Sequence, residues 1–428
     1  MWRLITPRAI SGLISLALWS VSAAWAQETP VIGELSNEHA NGSASRPLTG
    51  FGQAVAIDGR SALVGVPAYL VQDRNGNAVL SGIVETYEGS ADGSTWTRTG
   101  SLLPPDPNSE QGFGHRLARS GRHLAVGSSG AVALFEERRS QWLSVGSIHV
   151  SSGSLTGALV YDRDTLAVAV SQPQVSSAPL QFVYVYRIDA GGRAHLLQKL
   201  ARPSSDTGVS FGQSLALRRD MLVVGSPGTF DFQNPQLPGQ VYVYSLRGEH
   251  WSLEQTIPSP SGAPNSQFGA GVAIGNRAIL VGAPLEDFEG DQEFTFAQGE
   301  LYVFRKAHGA WGEVQKTRPS NVSFAAFGQT VAAGGGRVVV GAPSPTDAFG
   351  GDFGPTVIFR WDGDLLVQDY VVNRFLAASL DVSRNRIVIG ENYENEKYGF
   401  FNAAEVFTFP TPAGSKGPEA TGGLQGAD

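Results

Sequence analysis

Residues 211–225 read Phe-Gly-Gln-Ser-Leu-Ala-Leu-Arg-Arg-Asp-Met-Leu-Val-Val-Gly, and this stretch decides the fold. A Phe-Gly pair opens it, Gln213 to Leu217 forms a short strand, Arg218-Arg219-Asp220 makes a turn, and Met221 to Gly225 is an apolar second strand. Gly225 follows Phe211 by 14 residues. The same offset recurs from Phe51 to Gly65, Phe113 to Gly127, Leu155 to Ala169, Phe268 to Gly282, Phe327 to Gly341 and Leu376 to Gly390. The intervals between copies vary from 42 to 62 residues while the offset stays constant. One structural unit is repeated seven times, and its insertions are confined to loops.

Outward from the fourth copy, Gln240 to Tyr244 reads as a third strand and Trp251 to Gln255 as a fourth. Four antiparallel strands in about 55 residues make a propeller blade. Trp142, Trp251 and Trp311 each lie seven residues after the last aromatic of the strand before them, so hairpin length and register are constant. Second strands such as Ala278-Ile279-Leu280-Val281 are apolar on both faces, as stacking between two neighbours requires. First strands are rich in Ala and Ser, which suits strands converging on an axis. Each repeated Phe is expected to fill the seam between neighbouring blades. The seventh copy lacks a fourth strand, whereas Val31 to Leu35 is a strand without a blade. The expected fold is all-β: a seven-bladed propeller over 27–410 whose N-terminal strand pairs near Val406 to Phe409 and closes the ring. Six blades with a free strand is the alternative.

Residues 1–26 read as a secretory signal peptide, with Arg3 and Arg8, an apolar Ile10 to Val21 and cleavage after Ala24-Trp25-Ala26. The expectation is a secreted chain, periplasmic or extracellular, with a polar tail over 411–428. No cysteine is present, which excludes disulfides and thiolate metal sites. Thirty-one basic against 39 acidic residues give −8, and cleavage would leave −10, so nucleic acid and membrane insertion are not expected. The seven histidines show no metal-ligand spacing, and Gly225-Ser226-Pro227-Gly228 lacks the last glycine and the helix of a nucleophile elbow.

Phe268-Gly269 with Gly282-Ala283-Pro284, and Phe327-Gly328 with Gly341-Ala342-Pro343, resemble the FG-GAP repeat, the blade unit of the integrin α-subunit head. Phe51-Gly52 with Gly65-Val66-Pro67 and Phe211-Gly212 with Gly225-Ser226-Pro227 match closely, and copies three and seven are degenerate. The resemblance spans residues 28–410, and its style is that of exported bacterial proteins. It implies calcium loops of the form Asp-x-Asp-x-Asp-Gly between first and second strands. Here those turns are short and mostly carry Arg, so no cofactor is expected.

Length variation sits between second and third strands, and those loops are rich in aromatic and acidic residues. Phe230, Asp231, Phe232, Asp287, Phe288, Phe294, Phe296, Phe349 and Phe353 are the candidate ligand-binding residues for a protein or glycan. Asp347, Asp352, Tyr393, Tyr398, Phe400 and Phe401 share that rim. The alternative is that the rings fold back as plugs. Asp287, Glu289, Asp291 and Glu293 form a dense carboxylate run, the weak candidates for a calcium ion. The functional expectation is a non-catalytic binding or adhesion-like module. The alternatives are an enzyme acting on glycans or esters near the axis, and a structural envelope component.

Overall fold

The computed structural model describes residues 29–36, 50–150, 153–174, 180–203, 210–228, 238–263, 266–286, 298–319, 326–342, 355–372, 377–395 and 399–410. Among these there is no helix. Seven four-stranded antiparallel sheets form the blades of a propeller. Blade 4, for example, runs Ser214–Arg218, Met221–Ser226, Gln240–Arg247, His250–Pro258, in sequence order from the axis outward.

Blade 7 is composite. Ala377–Ser383, Arg386–Asn395 and Gly399–Thr408 are its inner three strands, and Val31–Glu34 is the outermost, paired antiparallel with Val31 opposite Thr408 and Glu34 opposite Glu405. The N-terminal strand therefore covers the one edge that the seventh copy leaves open.

Seven apolar clusters occupy the seven seams, and the second strands supply alternate residues to each side. Val223 packs toward blade 5 with Phe268 and Val272, while Leu222 and Val224 pack toward blade 3 with Ala167 and Val183. The repeated Phe51, Phe113, Phe211, Phe268 and Phe327 are each at most 2% exposed, and each sits in a seam cluster as expected. Phe268 meets Tyr302 edge-on at 5.4 Å and Phe211 meets Tyr242 at 5.6 Å, the geometry aromatic quadrupoles favour.

The signature glycines work in two directions. Within a copy, the Gly269 N–H donates to the Gly282 carbonyl at 2.9 Å and Gly328 N–H to that of Gly341 at 3.1 Å. Across the seam, a methyl group on Gly282 would lie 1.9 Å from the Gly328 carbonyl oxygen, and one on Gly65 would lie 2.0 Å from that of Gly114. The Phe-Gly glycine also needs φ of 85 to 101° in five copies, a region that costs L-residues with a Cβ. The constant 14-residue offset thus sets the spacing of one blade against the next as well as the geometry of each hairpin.

A β-bulge recurs between third and fourth strands of six blades, beside Tyr87, Phe135, Tyr186, Tyr244, Phe304 and Phe359. Two connections differ from the loops expected. In blade 7 the second and third strands run on as one long hairpin, pairing through Asn395 and Gly399, so Tyr393, Phe400 and Phe401 lie in strands. Backbone pairing beyond Gly390 overrides the loop-like Asn and Gly content there. In blade 1 the connection carries its own small hairpin, Leu70–Gln72 with Ala78–Leu80.

Candidate functional site

All seven turns between first and second strands contain two residues: 59–60, 121–122, 163–164, 219–220, 276–277, 335–336 and 384–385. They define one face of the ring, the turn face. The connections from second to third strands leave by the opposite face, the loop face.

The first strands enclose an axial cavity of about 710 Å³. Val55, Leu117, Leu159, Leu215, Val272 and Leu380 give it aliphatic walls, and Arg119, Arg218, Asn276 and Asp381 mark its end at the turn face. Asp381 keeps part of its side chain accessible to the channel while protein surrounds it closely. Its Oδ2 accepts the Ile57 N–H and its Oδ1 the Val382 N–H, both at 2.8 Å. Burial pushes its carboxyl up to about 6, against the pull of those amides and of Arg119. Arg119 turns away into the seam, donating to Glu137 and to the Ser61 hydroxyl at 2.9 Å each and covering the Trp142 ring at 5.0 Å. Sequence reasoning missed Asp381, because a single Asp in a degenerate first strand carries no motif.

His115 and Arg116 follow Phe113-Gly114, near the opposite end of the channel. Arg116 Nη1 lies 2.8 Å from His115 Nδ1 and its Nε donates to the Gly157 carbonyl of blade 3 at 3.2 Å. Burial, then the Arg116 charge, pushes His115 down to about 4, so the imidazole is neutral at pH 7 and accepts from the guanidinium.

On the loop face, all nine candidate ligand residues (Phe230, Asp231, Phe232, Asp287, Phe288, Phe294, Phe296, Phe349 and Phe353) lie outside the described residues, as do Glu289, Asp291 and Glu293. The described part of that face holds two features. Leu70 and Leu80 stand directly opposite each other on the blade 1 hairpin and are each 52% exposed, while Val71 between them packs inward. Glu286, first of the acidic run, is buried, and burial raises its carboxyl pKa, with Glu300, Tyr302 and Ser261 beside it.

Among the described residues no group of three or more His, Asp or Glu is arranged to hold a metal. The two-residue turns do not fit the calcium that integrin-type blades imply. They supply too few oxygens for a cation that takes six to eight, and six of the seven carry Arg.

The FG-GAP repeat family matches residues 251–304, from the last strand of blade 4 to the third strand of blade 5. The matched stretch belongs to a ring of seven four-stranded blades, so the fold is that of an FG-GAP-type β-propeller. It is similar to integrin alpha-7 of Rattus norvegicus (33% identical over 153 residues, 33% of this chain and 12% of the relative). It is also similar to integrin alpha-11 of Homo sapiens (30% over 111 residues, 24% of this chain and 8% of the relative). The chain thus spans only about a tenth of the length of these relatives. Among solved structures, Saccharomyces cerevisiae Sqt1 superposes with a TM-score of 0.44 at 9% identity, covering 88% of each chain.

Proposed function

We infer that this propeller is a non-catalytic recognition module, exported from the cell, that takes a protein or glycan ligand on its loop face. One observation carries the reading: the sequence concentrates insertion and acidic charge in the segments that join second to third strands. The turns opposite are all two residues long. The segments between second and third strands range from three residues, Ser128 to Gly130, to 16, Pro284 to Gly299. Those segments hold ten carboxylates against Arg74 and Lys397, a net −8 equal to that of the entire chain. The exposed Leu70–Leu80 pair, in one of these segments, adds apolar contact area. Of the residues lining the axial cavity only Asp381 is a carboxylic acid, whereas glycoside hydrolysis generally uses two; this favours recognition over chemistry at the axis.

The test immobilises the mature chain and a variant with 228–239 and 285–299 each replaced by a four-residue Gly-Ser link, after matching their melting temperatures. Both are probed against a glycan array and against extracellular and envelope protein fractions. Ligands captured by the parent and lost by the variant are the expected result. Unchanged capture by the trimmed variant would sink the loop-face reading.

A further inference from the structure

The turn face has its own chemistry, independent of the loop face. Of the 14 residues in the seven turns, six are arginines (Arg60, Arg122, Arg163, Arg219, Arg277, Arg384) and two are acids, Asp164 and Asp220, a net +4 on a chain of net −8. Four of these arginines sit in the left-handed region, with φ of 57° at Arg163, 55° at Arg219, 58° at Arg277 and 55° at Arg384. Turn chemistry would place Gly or Asn there, since a Cβ is strained at positive φ. Unfavourable backbone held at the same turn in four blades is the kind of strain found at functional positions.

The side chains of Arg163, Arg219, Arg277 and Arg384 make no hydrogen bond or ion pair among the described residues, and neither does that of Arg218 beside them. Arg60 is anchored, its Nε donating to the Gly89 carbonyl at 2.6 Å with Glu88 at 3.3 Å, while Arg122 reaches only Glu136, at 3.6 Å. Several acids on this face are already engaged. Asp164 lies 3.8 Å from Arg187, Asp162 accepts the Arg219 N–H at 2.6 Å, and Asp364 pairs with Arg305 at 3.2 Å. Successive turns bond to one another, as the Arg163 N–H does to the Ser120 hydroxyl at 2.7 Å, so the cations stand on a tight circle. The axial cavity, with Arg218 and Asn276 on its wall, opens inside that circle.

The geometry points to a binding site for an acidic glycan, an oligosaccharide bearing repeated sulfate or carboxylate groups, seated on the arginine ring around the channel mouth. Guanidinium forks pair bidentately with such anions. Every Phe, Tyr and Trp whose burial is described is at least partly buried, Trp361 on the cavity wall included. Stacking on a neutral sugar or on unpaired bases, and insertion of an aromatic into a membrane, therefore have no fully exposed ring to use among the side chains whose burial is described. A closed circle also differs from the extended track that duplex DNA, with one charge per about 1.7 Å, asks of its partner.

The test uses the mature chain and a quadruple variant, Arg163→Asn, Arg219→Asn, Arg277→Asn and Arg384→Asn. Asn tolerates positive φ better than Arg, so the variant should melt no lower than the parent and lost binding is not lost folding. Isothermal titration at low and physiological salt uses a sulfated heparin hexasaccharide, a hexagalacturonate and neutral maltohexaose. The expected result is binding of at least one anionic hexamer, weakened by salt, reduced at least tenfold in the variant, and absent for maltohexaose. The sulfated and carboxylated arms decide which anion is preferred, and binding to either supports the proposal. Trimming 228–239 and 285–299 should leave this binding intact, which separates it from the loop-face reading. No binding of either anionic hexamer, equal binding by the variant, or tighter arginine-dependent binding to phosphatidylserine vesicles or a DNA duplex would overturn it.

Discussion

The seams of the propeller are built in two ways. Between blades 3 and 4, 4 and 5, and 5 and 6, the buried part of the outer-strand contact is a neutral clasp. The ion pairs that also cross these seams (Arg187–Glu249, Lys306–Glu254 and Arg305–Asp364) each have a solvent-exposed partner and contribute little. Gln198 donates its amide to the Trp251 carbonyl at 2.9 Å and accepts the Trp251 N–H at 2.8 Å. Gln255 does the same with Trp311, and Gln315 with Leu366. Between blades 7 and 1 the seam is held by buried or partly buried ionic groups. Asp381 caps the Ile57 N–H, and Ser383 reaches Asp58 at 3.2 Å. Arg386, 4% exposed, donates to the carbonyls of Gly59, Ser90 and Ala91 at 2.9–3.0 Å over the Trp96 ring. Consecutive blades are brought together by a short connection, so a modest clasp suffices. The closing seam joins residues more than 290 positions apart. It must offset a larger loop-closure entropy and select one partner edge, and bonds to a charged group are the stronger kind.

The largest test of this difference removes the closure itself. Deleting residues 27–36 uncovers the Gly399–Thr408 edge and the pocket of Leu35, which is 2% exposed. We expect loss of a single cooperative transition in calorimetry and self-association on size exclusion, because an open edge pairs with another copy. A monomer that melts cooperatively near the parent temperature would refute ring closure as the source of stability.

Next comes a matched pair of substitutions. Arg386→Met removes the shared charged donor from the part-buried carbonyls of Gly59, Ser90 and Ala91 and should cost about 2–3 kcal/mol. Gln255→Ala removes two clasp bonds and should cost about 1–2 kcal/mol. Urea unfolding of both variants checks the order. Equal costs would mean that the closing seam is no more demanding than the others.

The smallest effect is a pH dependence. Asp381 ionises near 6 in the folded chain and near 3.8 when unfolded, so the native state binds its proton more tightly. Its contribution is therefore most favourable below pH 3.8 and is lost as pH rises through 6, a swing of roughly 1–3 kcal/mol. Burial shifts Glu110 and Glu286 in the same direction, so the group must be isolated by comparison with Asp381→Asn. The parent should gain stability over the variant as pH falls from 7 to 4.5; parallel pH profiles would remove Asp381 from the account of the seam.

The sequence made the blades legible because their rules are local. The continuous apolar run of Met221–Ser226, the Phe211-to-Gly225 offset and the constant spacing to Trp251 all act within one repeat. The glutamine clasps were not legible, since Gln255 finds Trp311 56 residues away and nothing local marks the partner. The long blade 7 hairpin was read as a loop because its Asn and Gly content resembles one, while the pairing that forms it is a property of two strands. The candidate aromatics, Phe230 to Phe353, fall outside the described residues, and the residues the fold brings to the axis are different ones.

Sequence alone determined an all-β ring of seven repeated sheets, closed by its own N-terminal strand, because periodicity and glycine placement are written residue by residue. It takes the folded ring to hold one carboxylate, Asp381, at the axis and to bring six arginines from turns as far apart as residues 60 and 384 onto one face. Along the chain each is an isolated turn residue. Closing the ring sets them side by side, and charge acts through the distances that closure creates.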